Sequence, residues 1–173
     1  CSEFDLEIAM LPDYYEFSFP VKIISGHSAL DNLPSELRQA GVNRPLVITD
    51  PGVVRAGLSQ VILDAFAESG ITIGAFYDQT PPESSTNAVN QVAELYKGKQ
   101  CDGIIAVGGG SVIDTAKGVN ILVSKGGSDI RAFRGAESLQ GPLSPFFVVP
   151  TTAGTGSEAT NAAVIQDLEK GEK

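Results

Sequence analysis

Two glycine-rich segments carry the residue types that could bind a phosphate-containing ligand. The first, Ala106 to Lys117, runs from an apolar stretch through three consecutive glycines into a helical pattern. Glycine lacks a Cβ, so the amides of Gly109 and Gly110 can approach a phosphate closely. Ser111 is a suitable N-cap with Asp114 three positions later, as in a capping box, and the positive end of the helix would point at the phosphates. A tight strand-to-helix turn would also need glycine, but three in a row exceed what a turn requires.

The second segment, Pro150 to Thr160, follows another apolar run. The hydroxyls of Thr151, Thr152 and Thr155 would suit contacts with a sugar or an adenine edge, or a turn rich in serine and threonine. Glu158 is expected to complement a helix dipole and not to act as a general base. Two such loops in one short chain indicate a dinucleotide cofactor.

Charged residues near these segments have competing interpretations. Asp50 ends an apolar run, where a carboxylate can bind both ribose hydroxyls and disfavour the 2′-phosphate of NADP, or can simply cap a helix before Pro51. Asp114 could accept a hydrogen bond from a ribose or nicotinamide amide, while Lys117 is predicted to be solvated. The lone histidine, His27, is predicted to lie on the surface. The sequence therefore assigns no catalytic residue and no metal ligand.

The composition is that of one globular α/β domain. The 173 residues are 42% hydrophobic and 19% charged, enough to bury a substantial core. A net charge of -9 argues against nucleic-acid and membrane partners. Cys1 and Cys101 are far apart in sequence, which argues against a disulfide framework or a zinc site and indicates a buried thiol at Cys101. The N-terminus lacks a basic region and no apolar run could span a bilayer, so we expect a cytoplasmic chain.

Strand and helix patterns alternate along the chain. Apolar runs predict strands over 45–49, 71–77, 103–107 and 146–149, and helical spacing covers 30–40, 61–66, 88–96 and 112–123. Ser28 or Asp31 is expected to cap the first helix, and Glu16 to Ser25 predicts an N-terminal strand or hairpin. Residues 126–145 are predicted to be irregular, with a helical turn near Asp129. The order indicates a Rossmann-like parallel sheet covered by helices on both faces, with its ligand beyond the carboxyl ends of the strands.

The two glycine-rich motifs, GGGSVIDTAK and PTTAGTGSEAT, make the chain resemble the iron-containing (group III) alcohol dehydrogenases from about Tyr14 to Lys173. The order of the PLVITD strand, the Pro81-Pro82 loop and the two motifs is also similar. The resemblance implies an N-terminal α/β domain that binds NAD(P), here residues 14–173, and a C-terminal all-helical domain that binds Fe²⁺ or Zn²⁺. It implies a homo-oligomeric enzyme that interconverts a primary alcohol and an aldehyde. Residues 1–13 would be a terminal extension, in part a cloning remnant.

The resemblance also implies roles for individual residues. Asp50 matches the family's adenosine-ribose aspartate, which favours NAD over NADP. The residues that match contacts to the pyrophosphate and the nicotinamide side are Gly109, Gly110, Ser111 and Asp114. Those that match contacts to adenine and ribose are Thr151, Thr152 and Thr155, and Lys173 matches a cofactor-contacting lysine. The chain departs from the family pattern at Glu83-Ser84 and at Ala162.

The family's metal ligands, one aspartate and three histidines, lie downstream of the matched region. We therefore expect the 173 residues to be the cofactor half of a dehydrogenase and to be inactive alone. Two alternatives stay open at this point. One is a non-catalytic nucleotide-binding module, and the other is a polyol dehydrogenase resembling glycerol dehydrogenase.

Overall fold

The computed structural model describes residues 21–135, 139, 141–168 and 170. The strands are β1 (Pro45–Ile48), β2 (Ala75–Tyr77), β3 (Gly103–Gly108) and β4 (Phe146–Pro150). The α-helices are α1 (Leu33–Gln39), α2 (Pro51–Arg55), α3 (Leu58–Phe66), α4 (Thr86–Gly98) and α5 (Gly110–Lys125). Short 3₁₀ helices cover Ala29–Asn32, Ile130–Phe133 and Ser157–Ala159.

The four strands form one parallel sheet in the order β2-β1-β3-β4. The chain adds β2 on one side of β1, then crosses to the other side of β1 to add β3 and β4. The order of strands therefore reverses between β1 and β3, and open α/β sheets bind their ligands beyond the carboxyl ends of the strands at such a reversal. The predicted Rossmann-like parallel sheet is confirmed.

Each face of the sheet is covered by its own layer of helices. Leu46 and Ile48 pack on one side, in a core shared with α4 and α5. Val47, the residue between them, packs on the other side with α1 and α3. Strand side chains alternate between faces, so a strand that is apolar at every position must be covered twice.

The second strand is shorter than the sequence indicates. The predicted strand over 71–77 is wrong in length, since only Ala75–Tyr77 pairs with β1. Its partner begins at Pro45, and just before that residue the amides of Asn43 and Arg44 turn aside to bond the carboxylate of Asp102, both at 2.8 Å. The amides of Thr72 and Gly74 still donate to the carbonyls of Asn43 and Pro45, at 3.1 and 2.8 Å. Because Asn43 and Arg44 give their own amides to Asp102 and proline has no N–H, no donor returns from this side, and residues 71–74 do not continue the regular ladder.

The start of the first helix also differs from prediction. Neither Ser28 nor Asp31 caps it: Ser28 precedes the 3₁₀ turn without a side-chain bond, and α1 begins at Leu33 with Pro34 in its first turn. A proline there presets the helical φ and lacks a donor that would be unpaired anyway, so no polar cap is needed.

The predicted N-terminal hairpin falls mostly outside the described residues. Residues 21–25 carry no regular secondary structure, and residues 16–20 and the extension 1–13 are not described. The predicted turn near Asp129 is confirmed as the 3₁₀ helix Ile130–Phe133, whose first turn Asp129 caps. Within the described ranges, no helix has both the length and the hydropathy that crossing a membrane would require.

Candidate functional site

The residues singled out in the sequence meet at the carboxyl edge of the sheet. Asp50 follows β1, and Thr151 follows β4. The hydroxyl of Thr49 donates to the carbonyl of Val107 at 2.7 Å, and the amide of Thr151 donates to the carbonyl of Gly108 at 3.0 Å. These two bonds tie the ends of β1 and β4 to the end of β3, so the sheet itself assembles the site.

We name Gly108 to Ser111 the first glycine loop. The helix that follows begins at Gly110, with Gly109 as its N-cap, so the prediction of Ser111 as N-cap is wrong. The Ser111 hydroxyl donates instead to the carbonyl of Pro82. The amides of Gly110, Ser111 and Val112 form no hydrogen bond with any described residue. They lie at the positive end of a 16-residue helix, which is a favourable arrangement for an anion.

The three glycines of this loop differ in what a side chain would meet. A Cβ on Gly108 would lie 2.5 Å from a Val112 methyl, so packing excludes it. One on Gly109 would lie 3.0 Å from the Thr152 hydroxyl. One on Gly110 would meet only Thr155, at an ordinary 3.5 Å. Packing within the described residues therefore accounts for the first glycine but not for the third, whose open approach suits an external ligand.

We name Pro150 to Thr160 the second glycine loop. Thr151, Thr152 and Thr155 are exposed, and the hydroxyls of Thr151 and Thr152 bond no described residue. The Thr155 hydroxyl donates to Glu158 at 3.0 Å, so this acid closes the turn. The second glycine loop packs beside Gly109 and Gly110 and thus lies along one side of the first glycine loop.

Asp50 caps a helix, as one of its two interpretations predicted. Its Oδ1 accepts from the amides of Gly52 at 2.7 Å and Val53 at 3.0 Å, which starts α2. Its Oδ2 accepts nothing from the described residues. The cap fixes the carboxylate just beyond the carboxyl end of β1 and leaves one oxygen for a ligand, so the two interpretations are compatible.

Asp114 and Lys117 lie against the second glycine loop. Asp114 does not close a capping box with Ser111, because its carboxylate accepts from the Ser157 hydroxyl at 2.6 Å and the Val164 amide at 3.2 Å. The prediction of a solvated Lys117 is wrong, since its side chain is only 14% exposed. Burial lowers the pKa of Lys117 from its usual value, and the carboxylates of Asp114 and Glu158 partly oppose that shift.

A cavity of about 300 Å³ opens beside the start of α5. Pro82 to Ser84 form one side, Gly110, Ser111 and Asp114 form another, and Val164 and Gln166 close it. Residues 164–166 reach this position because the Gln166 amide donates to the Ser84 carbonyl at 2.8 Å. The sequence analysis missed this wall, because residues some eighty positions apart meet here without any motif.

The remaining predictions concern single residues. His27 is exposed and Cys101 is buried, as predicted. Lys173 lies outside the described residues. Among the residues that are described, no group of three or more histidine, cysteine, aspartate or glutamate side chains could hold a metal ion. The residues at the sheet edge thus fit a dinucleotide, while the described part of the chain does not fit the metal implied by the resemblance.

Comparisons with known proteins identify the family of this chain. A family model described as iron-containing alcohol dehydrogenase matches residues 20–173. A choline dehydrogenase of Bacillus subtilis (strain 168) is 35% identical over 168 residues, which cover 96% of this chain and 42% of that protein.

Two solved structures share the fold. An alcohol dehydrogenase from Oenococcus oeni superposes with a TM-score of 0.83 at 33% identity, covering 91% of this chain and 41% of the other. A sulfoacetaldehyde reductase from Bifidobacterium kashiwanohense, in complex with NAD⁺, gives 0.82 at 25% identity, covering 92% and 42%. The chain thus spans about two fifths of the length of the proteins it matches. Because the family model covers most of its residues, this chain belongs to the iron-containing alcohol dehydrogenase family.

Proposed function

We propose that this chain is the cofactor-binding part of a metal-dependent oxidoreductase that transfers hydride between NAD(P) and a primary alcohol or aldehyde. The observation that carries the proposal is the row of amides at Gly110, Ser111 and Val112, which bond no described residue and follow the carboxyl end of β3. The reaction class is supported by membership in a family whose relatives include alcohol dehydrogenases and an aldehyde reductase.

In this proposal the two glycine loops hold the diphosphate of the cofactor between them. The amides at the start of α5 donate to its oxygens, and the helix dipole stabilises its charge. The free hydroxyls of Thr151 and Thr152, with that of Thr155, bind adenine and ribose, and Asp114 and Lys173 complete the assigned contacts. Once bound, the nicotinamide supplies the hydride acceptor or donor. The metal ligands are assigned to none of the described residues.

Asp50 is proposed to select the cofactor. Its Oδ1 is used by α2, so Oδ2 is the oxygen that would accept from the adenosine ribose hydroxyls. A carboxylate in that position repels a 2′-phosphate, which gives the preference for NAD over NADP.

Calorimetric titration with NAD⁺ and NADP⁺ tests both statements. We expect the parent chain to bind NAD⁺ more tightly. Asp50→Ser keeps an N-cap oxygen for α2 but removes the charge. The ratio of NAD⁺ affinity to NADP⁺ affinity should therefore fall by about tenfold while the fold persists. Binding of neither dinucleotide would contradict the proposed function, and equal affinity for both would contradict the role of Asp50.

Asp129→Ser is the matched control. Asp129 also caps a helix through its carboxylate, which accepts from the Arg131 amide at 3.0 Å, but it lies away from the sheet edge. Its replacement should leave the ratio of the two affinities unchanged. A similar narrowing in this variant would mean that overall charge, and not a ribose contact, sets the preference.

A further inference from the structure

A largely buried lysine joins α5 to the end of the second glycine loop. The ammonium of Lys117 donates to the Ser157 hydroxyl at 3.3 Å, the Thr160 hydroxyl at 3.1 Å and the Ala162 carbonyl at 2.7 Å. An ammonium has three N–H donors, so all of them are used within the chain. Although Lys117 follows a phosphate-binding motif, it has no donor left for a phosphate.

The network around this lysine is closed by Asp114. The Ser157 hydroxyl gives its single proton to Asp114 at 2.6 Å and accepts from Lys117. Asp114 also accepts from the Val164 amide and lies 4.0 Å from the Lys117 ammonium. Each hydroxyl, amide and ammonium proton thus has an acceptor, and charge-assisted bonds of this kind are stronger than neutral ones.

The second glycine loop is consequently anchored at two points. At its start, the Thr151 amide bonds the Gly108 carbonyl, and at its end, Ser157 and Thr160 bond the network. The exposed residues 152–155 lie between these anchors, beside Gly109 and Gly110. The distance between the threonine hydroxyls and the α5 amides therefore depends on the bonds of Ser157 and Thr160 at the end of the loop.

We propose that Lys117 is a positioning residue of the dinucleotide site. It holds the second glycine loop over the first, so that the loop need not be ordered when the cofactor binds. This role rests on the proposed function, because it concerns affinity for the same cofactor. It differs from that of a phosphate-binding lysine, since Lys117 acts through Ser157 and Thr160 and does not touch the ligand.

The test compares two lysines of one helix in the full 173-residue chain. Lys117→Met retains the apolar stem but removes the three donors, and should raise the NAD⁺ dissociation constant about tenfold or more. Lys125→Met is the matched control, because Lys125 also donates to loop carbonyls, those of Gly141 and Pro142, but lies at the far end of α5. Its dissociation constant should stay within about twofold of the parent's.

Amide hydrogen exchange without cofactor separates positioning from direct contact. In Lys117→Met, amides of residues 155–164 should exchange faster than in the parent, while those of β3 stay protected. Weaker NAD⁺ binding with unchanged exchange would mean that Lys117 contacts the phosphate, which overturns the proposal. Faster exchange with unchanged affinity would also overturn it, since the anchor would then not serve the site.

A milder variant keeps the proposal testable if Lys117→Met does not fold. Thr160→Val removes one acceptor from an exposed position and keeps the side-chain shape. It should weaken NAD⁺ binding and speed amide exchange, each by a smaller factor than Lys117→Met does. If the parent chain binds no dinucleotide, the proposed function fails, and the positioning role fails with it. The exchange comparison then still shows whether Lys117 anchors the loop, so the two failures are distinguishable.

Discussion

The two glycine loops reach the same site by different physical means. The first continues a fully buried strand into a 16-residue helix, and its shape is set by backbone bonding and by contact with Val112. The second leaves the sheet after Pro150 and is held at its far end by the side chains of Asp114 and Lys117. Packing thus fixes one loop and a polar network fixes the other. Substitutions in the two loops should therefore destabilise the protein for different physical reasons.

The largest effect is expected in the first glycine loop. In Gly108→Ala, the new methyl would lie 2.5 Å from a Val112 methyl and 2.7 Å from its Cβ, neither of which can move far at the start of a helix. Overpacking of this kind should lower the free energy of unfolding by about 1–3 kcal/mol, measured by urea denaturation.

Gly154→Ala gives the corresponding test in the second loop. No described residue lies within 4 Å of a Cβ there, but the φ of +85° strains any residue with a side chain, at a cost of about 1 kcal/mol. We expect the Gly108 variant to lose more stability than the Gly154 variant. The opposite order would contradict the assignment of packing to the first loop.

Gly110→Ala should separate stability from binding. A methyl there meets only Thr155 at 3.5 Å, and alanine favours a helix over glycine, so the free energy of unfolding should stay equal or rise by up to about 1 kcal/mol. The same methyl intrudes where the cofactor diphosphate is proposed to lie, so NAD⁺ affinity should fall about tenfold. Paired denaturation and calorimetry measure both quantities.

The control for this variant is Gly98→Ala. Gly98 ends α4, and a Cβ there meets no described residue within 4 Å. The substitution therefore brings a similar gain in helix propensity, but away from the sheet edge. Its affinity for NAD⁺ should match that of the parent. Unchanged affinity in the Gly110 variant would instead indicate that the third glycine serves the turn alone.

The first loop and the fold could be predicted because their signals are local. An apolar run, three glycines and a helical period identify β3 and α5, and the alternation of such units specifies a parallel sheet. The exact helix start was missed, because Ser111 finds an acceptor on Pro82. That contact depends on a segment about thirty positions earlier, which no local pattern reports.

The anchoring of the second loop could not be predicted, for the same physical reason. Lys117 looks like a solvated lysine until Ser157, Thr160 and Ala162 are folded over it. The departure from the family pattern at Ala162 proves harmless to this contact, since Lys117 uses its backbone carbonyl. Side-chain networks that join distant segments arise only from the tertiary structure. The sequence therefore reveals the residues but not their pairing.

The smallest expected effect is a pH dependence that only the second loop should show. Burial lowers the pKa of Lys117 below 10.5, more than Asp114 and Glu158 raise it. The folded chain therefore binds this proton less readily than the unfolded chain does, and the contribution of Lys117 to stability rises with pH between its folded pKa and 10.5.

Urea denaturation at pH 7.5 and pH 10 measures this contribution as the difference in unfolding free energy between the parent and Lys117→Met. All other groups are common to the two chains, so their contributions cancel in the difference, and the parent's advantage should be greater at pH 10. Between the parent and Gly108→Ala the difference should not change, because the described atoms nearest to the new methyl all belong to Val112. A parent advantage that shrinks at pH 10 would mean that the carboxylates stabilise the ammonium more than burial destabilises it. The polar anchor would then depend mainly on charge attraction, and it would weaken as Lys117 loses its proton.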